Sequence, residues 1–446
     1  MMKFTNNGDY NAPGGNALTA NQPTQDKQNR IAIIGGGPAG LSLARLLKEQ
    51  GFSYITVFEA LPQVGGKSFT YLHGDTVVEM GTCYATLSHK VTNRWMKEFG
   101  LKMVGLKEQR FAGDKFTRYI RKGPGPNLIS QLYRYWTDKA KLQKALEAPE
   151  PPQWALEQAA MPIGDWLAIR RLGKIEHFMH RSTTNIAYGF VNEASTVQAL
   201  NWNDMNLLFT GLLKQLKMPE IGWAEFWNKV AADFDVHLNA KVTEIDRGGD
   251  TIKVVINGSE DYEFDQLVCA IPLDDFGKLL APNDDEAFVI DSIRWNGYTT
   301  TLFTADNWFT DVDTESYKEA VVPGADLGQL LSARHDGHEP DLGGHVYLSG
   351  QLSGDFSGDE LKEILRNDVV RQGAEVTNII LQKMWKYHPF YDFDAIRNGL
   401  LSRLKTMQGK NRTWYTGATF SYEAVSHITN FNVQLARDMQ ADILTS

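Results

Sequence analysis

Three glycines and one carboxylate carry the clearest chemistry in this chain. Gly35, Gly37 and Gly40 follow the apolar run Ile31 to Ile34, and Leu43, Leu46 and Leu47 recur behind them at helical spacing. The stretch therefore reads as strand, tight turn and helix. In that setting the first glycine makes the turn, the second lets a pyrophosphate approach the backbone, and the third packs helix on strand. Pro38 and Ala39 open the helix, whose exposed amides favour an anion. Glu59 ends a second short strand that begins at Ile55. A carboxylate there accepts hydrogen bonds from both hydroxyls of an adenosine ribose, which favours FAD or NAD over NADP.

The elements that position these groups belong to a chain with ample material for two packed cores: 446 residues, 42% apolar and 11% aromatic. A net charge of −9 with no long basic block argues against a nucleic-acid partner. Two cysteines, Cys83 and Cys269, cannot build a disulfide framework, and the first residues lack the charged and apolar regions of a signal peptide. Cytoplasm is the expected compartment. No apolar run reaches the length that spans a bilayer. Residues 1–29 are polar and small, cannot offset the entropy of ordering, and read as a disordered tail.

After the second strand come Gly65-Gly66-Lys67-Ser68 and then Val77-Val78-Glu79-Met80-Gly81. The chain closes with Thr413-Trp-Tyr-Thr-Gly417-Ala418, then Glu423-Ala424-Val425, and a helix through Leu435. These stretches resemble the FAD-dependent amine-oxidase-like flavoproteins. The resemblance implies an α/β fold: a Rossmann-type FAD-binding domain from 30–105, 230–272 and 401–446, with a discontinuous mixed α+β substrate domain from 106–229 and 273–400. It implies FAD as cofactor, held by Gly35, Gly37, Pro38, Ala39, Gly40, Glu59, Ala60, Gly66, Lys67, Gly81, Thr82, the backbone near Val242, Gly417, Ala418, Glu423, Ala424 and Val425. Ala418 stands where the family usually has an acidic residue.

Ala187-Tyr188-Gly189 and Met407-Gln408-Gly409 are similar to the branch of that family that isomerises polyenoic fatty acids. The resemblance implies a double-bond isomerase of polyunsaturated fatty acids, with FAD as a temporary hydride store and no residue acting as acid or base. It places the substrate's carboxylate at Arg110, puts Met205 where the branch has an aromatic clamp, and adds Tyr188 and Phe209 to the substrate site. The alternative is an oxidase or desaturase of an amine or other small apolar substrate. A flavin-binding protein without chemistry is disfavoured by the length of the substrate segments. Amine-oxidising relatives often carry a lysine on a substrate-domain strand beside the flavin, and the stretch Asn296 to Phe303 has none.

Three further features have structural readings. Trp202, Met205, Leu208, Phe209 and Leu212 form a stripe at helical spacing that is expected to be core, or the wall of an apolar tunnel. His177 and His180 lie one turn apart with no evident third ligand, so a helix surface is expected and no metal. Cys83 reads as a small half-buried turn residue rather than a reactive thiol.

Overall fold

The computed structural model describes residues 29–445 except 75, 107, 108 and 214. Residues 1–28 of the expected tail therefore lie outside the described residues. The centre of the half expected to hold the nucleotide is a parallel sheet ordered Thr413–Tyr415, Gln266–Cys269, Ile31–Ile34, Ile55–Phe58, Asp235–His237. Ile31–Ile34 is buried throughout, as a strand covered on both faces requires. Strand alternation sends Ile31 and Ile33 into one core and Ala32 and Ile34 into the other.

The first core holds the helices Pro38–Glu49 and Val425–Thr445 together with Trp223–Ala231. Trp223, Phe226, Trp227 and Val230 are all buried, at the helical spacing that the sequence shows. This helix runs across the boundary expected at residue 230. Asn432 joins the first and last helices, donating to Ala39 O and reaching Ser42 Oγ, both at 2.8 Å. An antiparallel meander of Val242–Asp246, Ile252–Ile256 and Glu260–Phe264 contributes to the second core, where Tyr262 and Phe264 meet Phe58 edge to face.

The half expected to hold substrate is built on a seven-stranded sheet ordered Glu375–Trp385, Tyr298–Asp306, Gly344–Leu352, Leu330–Glu339, Thr314–Ser316, Gln109–Phe111, Asp114–Lys115. Its pairs are antiparallel except Thr314–Ser316 with Gln109–Phe111. A helical layer lies beside it. In Leu128–Leu146 the buried face is Gln131, Tyr135, Lys139, Leu142 and Leu146, whereas Tyr133 is 66% exposed. Among the described residues, no helix is long and apolar enough to cross a membrane.

Two local expectations need correction. The stripe from Trp202 to Leu212 is not one helix: Thr196–Trp202 ends, and Asp204 caps Met205–Leu212 by accepting from Leu207 N at 2.6 Å. An aspartate competes with helical hydrogen bonding and favours a new N-terminus. His180 is buried rather than on a helix surface. Its Nδ1 is 2.8 Å from the Tyr119 hydroxyl, while His177 stacks on the Tyr119 ring at 4.4 Å, so both rings dock one helix against another.

Candidate functional site

The glycine turn shows which positions exclude a side chain. Gly35 has φ +112°, and a Cβ there would lie 2.8 Å from Ile271. A Cβ on Gly40 would lie 2.0 Å from Gly35 O, so this glycine sets the distance between helix and strand. Gly37 differs: its nearest neighbour would be Gly66 Cα at 3.7 Å, an ordinary contact. The protein's own packing therefore does not require glycine at 37. The helix that follows has no side-chain cap on its first turn. Glu59 accepts from Gly36 N at 2.8 Å and Leu61 N at 2.9 Å, and an ionised carboxylate still has lone pairs for two more donors.

These groups open onto one cavity of about 490 Å³ that continues into the substrate half. Of the residues expected to hold the cofactor, Gly35, Gly37, Pro38, Ala39, Glu59, Gly66, Lys67, Gly81, Thr82, Gly417, Ala418, Glu423, Ala424 and Val425 line it. Three others do not. Gly40 is the packing glycine, Ala60 is exposed, and Val242 is buried opposite Ile256 in the meander. A backbone groove, an uncapped helix start and a ribose-type carboxylate on one cavity wall fit FAD. Lys67 bridges the halves: its Nζ is 2.9 Å from Glu423 and lies over the Tyr387 and Trp295 rings at 4.9 and 5.4 Å. Glu423 also accepts from His388 N at 2.9 Å.

None of the four residues expected to bind substrate lines the cavity. Arg110 is held by Glu315 and by Asp311, the latter at 2.8 Å, so its fork is filled from the adjoining strand and loop. Phe209 is 43% exposed, and Met205 packs against the helical core. Tyr188 is buried with its ring 4.4 Å from His388, and its hydroxyl accepts from Glu423 N at 3.3 Å. Ala187 and Gly189, both at positive φ, form the tight turn that puts it there. The second short motif is also structural, because the Gln408 amide pairs with both the N–H and the C=O of Tyr415 and so pins the last strand.

The cavity's substrate wall comes from residues that sequence spacing does not connect. Tyr298 and Thr300, two apart on one strand, both face it. Thr300 Oγ1 donates to Met80 O at 2.9 Å and accepts from Trp385 Nε1 at 2.8 Å. Phe116, Phe178, Ile186, Trp202, Leu207 and Leu216 form an apolar stretch, and Gln109, Arg181, Asn185 and Arg334 a polar one. Among the described residues, the lysine that lines the cavity is Lys67. Titration near the cavity is suppressed by burial. It lowers His388, with Lys67 adding to the effect, and lowers His89 to about 3, with help from His427. Burial also pushes the Cys83 thiol up, and that thiol donates to the Glu79 and Gly81 carbonyls, so it is not a thiolate nucleophile. Tyr422, just before the last helix, has φ +68° and ψ +160°, a region that glycine normally occupies.

The combination of parallel sheet, glycine turn and shared cavity fits a flavoprotein. The chain matches the flavin containing amine oxidoreductase family over residues 38–413, and it belongs to that family. FAD is accordingly its cofactor. Among curated relatives, a polyenoic fatty acid isomerase of Ptilota filicina is 23% identical over 266 residues, 51% of this chain and 52% of that protein. A flavin-containing amine oxidase of Oncorhynchus mykiss is 36% identical over 92 residues, 20% of this chain and 17% of that protein. The chain thus spans about half or less of the length of these curated relatives. Among solved structures, the CLA-producing fatty acid isomerase from P. acnes has a TM-score of 0.78 at 21% identity, covering 93% of this chain and 99% of that one. Wild-type putrescine oxidase bound to putrescine has 0.68 at 15% identity, covering 94% and 99%. At these identities the likeness is one of fold.

Proposed function

We propose that this protein isomerises double bonds in polyunsaturated fatty acids, giving a conjugated product. Bound FAD supplies a two-electron acceptor that can take hydrogen from the carbon between two double bonds and return it at one end of the same five-carbon system. Gly35, Gly37, Glu59 and the start of the first helix would hold its nucleotide, and Lys67, Gly81, Thr82 and Val425 its redox end. Everything else falls to the walls. Phe116, Phe178, Trp202, Leu207 and Leu216 offer an apolar chain a dry surface, and a site closed to water keeps the reacting carbon from side reactions. A near-attack separation of about 3 to 3.5 Å is all the reaction asks of positioning.

The observation that carries this reading is the cavity face of the strand Tyr298–Asp306. It presents Tyr298 and Thr300 rather than a lysine, and Lys67 is tied to Glu423. The fatty acid isomerases of Ptilota filicina and P. acnes among the similar proteins support it. The test is anaerobic incubation of the yellow holoenzyme with a panel of polyunsaturated fatty acids and amines. Expected is a product isomeric with its fatty acid and a flavin that stays oxidised at the end. A bleached flavin with an oxidised amine, or turnover that consumes oxygen in proportion to product, overturns the reading in favour of net oxidation.

A further inference from the structure

We infer that Arg181, with Gln109 beside it, is the binding site for a carboxylate on the substrate. Arg181 comes from the helix Gly173–Thr184 and lines the cavity. Its Nη1 donates to Gln109 Oε1 at 2.8 Å, and its guanidinium carbon lies 5.1 Å from the Phe116 ring. Among the described residues, no carboxylate pairs with it and no second acceptor meets its other N–H groups. The two arginines nearby are different. Arg334 also lines the cavity, but Asp336 holds it at 2.6 Å and Glu79 O accepts from it at 3.0 Å. Arg110 is held by Glu315 and Asp311.

A guanidinium stays charged in proteins and has five N–H donors in a planar fork. Burial lowers Arg181 from its ordinary value, and Tyr84 and Glu315, the latter already paired with Arg110, offset this only in part. The missing partner is therefore expected from a ligand, and the surroundings point the same way. Gln109 Nε2 and Asn185 Oδ1 are buried, line the same cavity and have no partner among the described residues. With Gln109 Oε1 fixed on Arg181, its amide N–H groups are left to donate. Asn185 Nδ2 is 3.3 Å from Ser316 Oγ, and turning that amide over would make it a third donor to the cavity while Oδ1 takes the hydroxyl. A planar anion suits a planar fork, because two parallel charge-assisted hydrogen bonds form at once. The apolar wall at Phe116 and Phe178 then receives the rest of the molecule.

That the acid is a fatty acid rests on the function proposed above; the carboxylate site does not. The experiment is equilibrium dialysis of the oxygen-free holoenzyme against linoleic acid, methyl linoleate and phenylalanine, for the natural chain and for Arg181→Gln and Gln109→Leu. Arg181→Gln is expected to weaken linoleic acid by about 10- to 100-fold, as for losing a charged hydrogen-bonded contact, with methyl linoleate and FAD content unchanged. Gln109→Leu, which keeps the arginine, is expected to weaken the acid by roughly 3- to 10-fold. Unchanged affinity for the acid in both variants, equal losses for acid and ester, or no saturable binding of either acid to the natural chain overturns the site. If phenylalanine binds in place of linoleic acid and is lost in Arg181→Gln, the carboxylate site stands and the fatty acid reading falls.

Discussion

Gly35, Gly37 and Gly40 lie within one turn and the first coil of one helix, whereas Gln109, Arg181 and Arg334 come from a strand, a helix and another strand far apart in the chain. The two ends of the cavity are thus specified at different levels. At the nucleotide end the constraint is on backbone shape, and only certain residues at fixed spacing satisfy it. At the substrate end the constraint is on side chains that meet only after the seven-stranded sheet has formed. The first kind can be read along a line; the second needs a fold.

The sharpest way to break that comparison is at two glycines three residues apart. Gly40→Val should abolish folding, because its Cβ would fall 2.0 Å from Gly35 O and force helix from strand. Gly37→Val should fold and be colourless. Its φ of −83° suits any residue, and the nearest protein atom to a Cβ is at 3.7 Å, so what the side chain displaces is pyrophosphate. Circular dichroism reads the fold and flavin absorbance reads the cofactor. A Gly37→Val protein that keeps its full flavin would remove the physical basis for placing FAD in this turn.

A second substitution asks whether the nucleotide half is also held by contacts that spacing hides. Arg247 and Glu286 form a buried pair at 2.7 Å, with Tyr415 and the Asn283 amide completing the carboxylate's partners. Removing one side of such a pair leaves a buried charge, so Glu286→Gln should cost about 3 to 5 kcal/mol in urea unfolding. Burial alone would raise this carboxyl, but hydrogen bonds from Arg247 and Tyr415 outweigh it and hold it below its ordinary value of 4.5. Its contribution is therefore present above pH 4.5 and is lost as pH falls through the lowered value. A loss of stability that is unchanged between pH 6 and pH 3 would show that the pair does no electrostatic work.

How much is legible in the sequence follows the same division. The parallel sheet, the glycine turn, Glu59, the Trp223 helix and most of the cofactor wall can be read there because each rests on local period or backbone geometry. Arg110 is where counting along the chain arrives. Counting cannot see that Glu315 and Asp311, two hundred residues later, fill its fork. Phe209 and Met205 belong to a stripe that Asp204 in fact divides. Arg181 follows His177 and His180 in sequence, but that no carboxylate pairs with it among the described residues is a property of the folded cavity. One signal is available: His177, Phe178, Thr184 and Asn185 stand three and four positions from Arg181, so no carboxylate meets it at helical spacing.

The smallest expected effect, read at pH 5, lies where the two halves meet. Glu79 is fully buried and accepts from Trp223 N at 2.6 Å and from Thr70 Oγ1 at 3.1 Å, while Arg334 from the substrate sheet donates to its backbone carbonyl. Burial pushes its carboxyl up to about 8, although hydrogen bonds from Trp223 and Thr70 pull the other way. In the folded protein it then carries a proton that the unfolded chain has released above its ordinary value of 4.5. Between those two values the native state binds more protons than the unfolded state, so this group makes stability fall as pH rises. Glutamine copies the protonated form in shape and keeps an acceptor for Trp223 N. Glu79→Gln should therefore change stability by no more than about 1 kcal/mol at pH 5. As pH rises toward 8 the variant should gain on the natural protein, by some fraction of the roughly 1.4 kcal/mol per pH unit that one full proton commands. Urea midpoints for both proteins across pH 5 to 8 check this. A constant difference, or one that shrinks with rising pH, would mean that Glu79 is ionised at the junction and that Arg334 stabilises its charge across the boundary between the halves.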